Sequence, residues 1–157
     1  MLRITLWVVA GLAGSVAFWL VQTLTGGPTI TAFIGEQIVA AGGYPPGFTT
    51  LLGWAVHMGV SLAYAFLFGV LVFLVSSVPF PVRVAVSLVA ALGLAWVTAV
   101  IAPPAISVTV SLLGRQSWPG ELYPLNTELG LPLWNHLLFF LLNWAIQSVG
   151  PRLLGRG

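Results

Sequence analysis

Apolar positions gather into four long runs, and the polar, proline-rich and glycine-rich interruptions between them organise the chain. The first run is Ile4 to Leu24, behind a start that carries Arg3. The second is about Thr50 to Val75, the third runs from Arg83 to Pro103 and Pro104, and the fourth from Pro132 to near Gly150 and Pro151. Each is long enough to cross a hydrocarbon core of roughly 30 Å as a helix. Between the first two, Thr25 to Pro28 and Gly42 to Gly47 break the chain on either side of Thr29 to Ala41. That piece is too short to span and is expected to form a brief interfacial or re-entrant helix. Ser76 to Pro81 reads as a tight turn. Ala105 to Leu131 reads as a second long loop, with Arg115, Glu121, Glu128, Trp118 and Tyr123 in it. The expected fold is therefore a single all-α membrane domain, 1–157, of four transmembrane helices with short interfacial helices in the outer loops.

Composition agrees with this class. Hydrophobic residues make up 59% and charged residues 5%, against about 25% charge in an ordinary soluble domain. Mean hydropathy is +1.05. The basic start of the first run resembles a signal peptide, but the run exceeds the usual apolar core of about 7–15 residues and no small-residue cleavage site follows. It reads as a retained span. The pI of 9.7 comes from few charges with no basic cluster, so no nucleic-acid partner is implied. The absence of cysteine excludes a thiolate metal site, a disulfide and a c-type haem. No G-x-S-x-G, P-loop, H-E-x-x-H or G-x-G-x-x-G occurs, which weighs against an enzyme.

Charge sets the expected orientation. With four spans, Arg3, Arg83, Arg152 and Arg156 share one side, while Arg115 and all three Glu share the other. The positive-inside rule then puts both termini in the cytoplasm of a bacterial inner membrane and both long loops outside.

The second run carries the most informative stripe. Gly53, His57, Ser61 and Ala65 recur at helical spacing, with Tyr64 and Phe68 beside them. Small residues on one stripe suit close helix packing, and an ionisable residue within a span faces a partner or a cavity. In the first run Ala10, Gly11, Gly14 and Phe18 offer a similar face. In the fourth, His136, Phe140, Asn143 and Gln147 share a face, read as a polar seam between helices. No span holds Asp or Glu, which argues against a proton-coupled transporter.

His57 and His136 are the only histidines. Two imidazoles at similar depth can hold haem b or a divalent metal ion, and Glu36 would complete a two-His-one-carboxylate set. Against this stands the reading that each histidine hydrogen-bonds a neighbour and holds helices together. Nothing in the spacing favours either cofactor.

The halves 4–75 and 84–150 look like a tandem repeat. Gly35 precedes His57, and Gly114 precedes His136, by the same 22 residues; each histidine follows a tryptophan (Trp54, Trp134). Spans one and three run the same way, so the repeat axis would lie along the membrane normal.

Four features together resemble the YagU family of bacterial inner-membrane proteins. They are Gly11-x-x-Gly14 in span one, His57-x-x-x-Ser61 in span two, the close of span three at Pro103 and Pro104, and His136 and Leu137 opening an aromatic-rich span four before an arginine-bearing tail. The resemblance implies an inner-membrane protein linked, in its enterobacterial member, to acid tolerance. The function expected from the residues is that of a structural or accessory subunit packing through its glycine and aromatic faces against lipid and other membrane proteins, or against its own copies. The alternative is an electron-transfer subunit with haem b or a metal on the histidine pair.

Overall fold

The computed structural model describes residues 2–153; Arg156, part of the charge asymmetry above, lies outside them. Helices account for most of the chain: α1 Leu2–Leu24, α2 Ile30–Gly42, α3 Thr49–Leu74, α4 Phe80–Val110, α5 Leu131–Trp144 and α6 Gly150–Leu153. A 3-10 turn, Pro46–Phe48, leads into α3. A π turn, Ser111–Arg115, prolongs α4, and another, Ala145–Val149, joins α5 to α6. Three of these stretches, Arg3–Leu24, Pro46–Leu74 and Phe80–Arg115, are long and apolar enough to cross a membrane.

Local chemistry explains the boundaries. The Thr29 hydroxyl accepts the Ala32 N–H and caps α2, leaving one fewer unpaired donor at its start. Gly43, at φ 64°, ends α2 in the left-handed conformation that glycine adopts without a Cβ penalty. Proline stands in the first turn of both α4 and α5, where its missing N–H costs no helical bond.

One boundary departs from expectation. Span three does not end at Pro103 and Pro104: α4 runs through both and on to Val110. A proline at 104 removes the donor that would pair with the Val100 carbonyl. That carbonyl instead accepts the backbone N–H of Asn126, at 3.0 Å, from the following loop. Such outside donors are how membrane helices tolerate proline. Residues 105–115, expected as loop, are thus helical, and the second loop shrinks to 116–130. Only the first long loop holds a separate short helix among the described residues.

The helices pack in the order α3, α1, α5, α4, while α3 and α4 touch each other sparingly. The start of α1, the end of α6 and the turn at 75–79 lie at one end of this bundle, and α2 and the long loops at the other. Gly11 brings α1 against Leu62 and Ala65 of α3, at 3.1 Å from where its Cβ would stand. Gly53 of α3 meets the Thr31 backbone carbonyl of α2, and Gly35 of α2 meets that of Thr49, so no side chain fits at either crossing. The outward faces stay apolar, with Leu12, Val16, Phe66, Leu67, Val89 and Trp96 all exposed. A lipid surround accommodates such faces without the penalty they would carry in water.

Candidate functional site: a histidine-lined cavity

Every member of the α3 stripe is buried: Gly53, His57, Ser61 and Ala65. So is each member of the α5 face, His136, Phe140, Asn143 and, in the π turn, Gln147. These two faces enclose two different environments.

Toward the loop end lies a cavity of about 650 Å³. Phe18 and Gln22 of α1, His57, Ser61 and Tyr64 of α3, and His136 and Phe139 of α5 line it. Ala99, Ala102 and Pro103 of α4 form another wall, and loop residues Tyr123 to Glu128 cover it. The bond from Asn126 to Val100 latches that cover onto the proline-interrupted part of α4. Phe33, Val60 and Ala105 line the cavity and also lie on the exposed surface, so it opens sideways between α2, α3 and α4.

The histidines are brought together here through Phe18. Its ring lies 5.4 Å from the ring of His57 and 5.4 Å from that of His136, edge-on to both. The Nε2–H of His57 donates to the Ser15 carbonyl of α1, at 3.1 Å. The Nδ1–H of His136 donates to the Pro132 carbonyl, at 2.8 Å. A carbonyl only accepts, so these bonds fix which nitrogen of each ring carries the proton. In the neutral imidazole the other nitrogen is then a lone-pair acceptor: Nδ1 of His57 and Nε2 of His136. On the cavity wall Gln22 accepts the Ile30 N–H through Oε1, at 2.8 Å, which leaves its amide NH₂ as a donor.

Glu36 does not join the pair. It is exposed on α2 and outside the cavity lining, and no group of three His, Cys, Asp or Glu residues comes together among the described residues. The two-His-one-carboxylate arrangement is therefore not assembled.

Toward the other end the same helices form the polar seam. Asn143 Nδ2 donates to the Phe139 carbonyl at 2.9 Å and reaches the Ala10 carbonyl of α1 at 3.5 Å. Gln147 Nε2 donates to Asn143 Oδ1 at 2.9 Å and to the Ala65 carbonyl of α3 at 3.1 Å. Of the remaining seam residues, Gly53 forms the α2–α3 crossing, Ser61 faces the cavity, and Tyr64 does both: it lines the cavity and packs on Phe139 and Phe140, with ring centroids 6.5 and 6.0 Å away.

Sequence reasoning misses Phe18, Gln22 and the covering loop as parts of the site. Phe18 stands on the recognisable small-residue face of α1, but only the packing puts it between the histidines. Asn135, buried beside His136, has no hydrogen-bond partner for its amide among the described residues, and neither does the Ser15 hydroxyl. No protein-family model matches the chain, and no curated protein or solved structure is significantly similar to it.

Proposed function

We propose that the chain is a four-span inner-membrane protein that holds a small lipophilic molecule in the histidine-lined cavity. The observation that carries this reading is the cavity itself. Its volume, about 650 Å³, falls in the range of small-molecule sites, roughly 300–1,000 Å³, and its mostly apolar walls hold a few convergent polar groups as such sites do. The sideways opening meets the exposed apolar surface, so a ligand enters from lipid.

In this reading 131–153 is the fourth span, at 1.5 Å per residue roughly 34 Å long. Both termini then share a side with Arg3 and Arg83, which the positive-inside rule assigns to the cytoplasm. The tandem relation of 4–75 and 84–150 draws support from the equal glycine-to-histidine spacing and from α1 pairing with α3 as α4 pairs with α5. Kinship with the YagU family, and the acid-tolerance role it implies, rest on the four sequence features alone.

The accessory-subunit reading finds its support in exposed Trp96, Trp118 and Trp134 and in Gly59 and Gly93, which are exposed on α3 and α4 with nothing from the chain packed on them. Gly11, Gly14, Gly53 and Gly69 are all filled by neighbours from the same chain. An electron-transfer role would need either a haem b on two imidazoles that the Phe18 ring already packs against edge-on, or a metal ion on two imidazoles alone, a thinner donor set than a closed metal site uses.

The ligand reading is tested by photolabelling in nanodiscs with an alkyl diazirine. Labelling should concentrate on peptides holding Phe33, Val60 and Ala105, and fall when Ala102→Trp occupies the cavity. Labels spread evenly over the exposed apolar faces, unchanged in that variant, would remove the reading.

A further inference from the structure

We infer that the cavity selects lipophilic molecules headed by an aromatic hydroxyl, a phenol or hydroquinone-type ring; this rests on the ligand-pocket reading above. The first support is the state of the two imidazoles. Each has its N–H engaged by a backbone carbonyl, Ser15 for His57 and Pro132 for His136. What each ring has left for the cavity is a lone pair. A guest meeting these nitrogens must bring a hydrogen-bond donor; a ketone, ether or ester oxygen would face a lone pair with another lone pair.

The second support is the rest of the wall. Ser61 and Tyr64 contribute hydroxyls and Gln22 an amide NH₂. A hydroxyl head fits this mixture, because its O–H donates to an imidazole while its oxygen accepts from one of these donors. A primary ammonium would supply donors too, but an unpaired cation in an apolar pocket carries a large desolvation cost. The one carboxylate of the lining, Glu128, belongs to the covering loop and not to the helices that carry the histidines.

The third support is shape. Phe18, Phe33, Tyr64 and Phe139 line the same space, and aromatic walls favour a flat guest through edge-to-face contacts. A metal ion also takes lone pairs, but two imidazoles leave it short of ligands, and no third His, Cys, Asp or Glu among the described residues joins them.

The experiment compares two probes of matched size, 4-octylphenol and 4-octyltoluene, in which a methyl replaces the hydroxyl. Each is equilibrated with nanodiscs carrying the full chain and with empty nanodiscs, and the excess bound by the protein is measured. The phenol should be retained about tenfold more tightly than the toluene, the scale of one buried hydrogen bond. In the double variant His57→Phe with His136→Phe this ratio should fall to near one while the toluene is still retained. Equal retention of both probes by the native protein would overturn the inference and leave the pocket standing. So would a ratio that the double variant does not change. If neither probe exceeds its level in empty nanodiscs, the pocket reading itself falls, and the inference with it.

Discussion

The two ends of the bundle are built from the same helices and reach opposite solutions. At the end near the termini, α1, α3 and α5 close without space. Gly69 admits the indole of Trp7, and Phe68 packs edge-on against Phe140 at 6.3 Å. Polar groups there bond to one another or to backbone across the helices, as Asn143 and Gln147 do. At the loop end, one or two turns away, the helices part around a cavity. There each histidine gives its one N–H to a carbonyl, His57 across to α1 and His136 within α5, and keeps an acceptor for something else. Polar residues inside the bundle therefore do two jobs, and what surrounds the atom left over separates them. Gln147 Oε1 is buried in close packing with no partner among the described residues, whereas the second nitrogen of each imidazole belongs to a ring that lines a cavity.

Adding volume tests this contrast most sharply, because its effect should differ between the ends. At the filled end, Gly69→Ala places a methyl against the Trp7 indole. Overpacking of this kind should destabilise the protein by about 1–3 kcal/mol, visible as a lower midpoint in reversible unfolding in mild detergent. An unchanged midpoint would mean that the filled end is slack. Asn143→Ala should follow at about 1–2 kcal/mol, since it removes the contacts to Phe139 and Ala10 and leaves Gln147 with one partner fewer. If Gln147→Ala in the Asn143→Ala background costs as much as it does alone, the seam is not one coupled unit. Smallest of all is Ala102→Leu at the hollow end. Its side chain enters empty space, so the midpoint should stay within about 0.5 kcal/mol of the parent or rise slightly, because filling a void regains lost contacts. A loss as large as that of Gly69→Ala would show that the space beside Ala102 is not open.

Much of this is legible in the sequence, and the reason is periodicity. The stripe from Gly53 to Ala65 and the face from His136 to Gln147 repeat at helical spacing, and both are buried in full. The ends of α1 and α3 also lie within two residues of the apolar runs, because glycine, proline and threonine mark them locally. The end of α4 is not legible. Pro103 and Pro104 are strong local stop signals, and the carbonyl that Pro104 leaves unpaired is met by a donor from Asn126, more than twenty residues along the chain. The cavity is hidden for the same reason. Its walls come from five helices and a loop, and no local pattern encodes the space left between them. Trp134 shows the limit from the other side. It sits two residues before His136 and looks positioned to fill a slot beside it, yet it is 65% exposed, because that spacing turns it to the opposite face of the helix.

The latch between the covering loop and α4 has a consequence for how this chain tolerates sequence drift. The bond to Val100 is made by the main-chain N–H of residue 126, so no side chain takes part in it directly. The Asn126 side chain acts one step back, where its Oδ1 accepts the Glu128 N–H at 3.1 Å and shapes the loop that presents the donor. Aspartate keeps both contacts; proline deletes the donor outright. The Pro104 that creates the need for the latch and the loop that meets it are thus linked through length and path rather than through a pair of matching letters. Relatives of this protein can change position 126 among residues that make the same turn and still share the covered cavity, whereas a residue gained or lost between Gln116 and Asn126 would shift the donor along the chain.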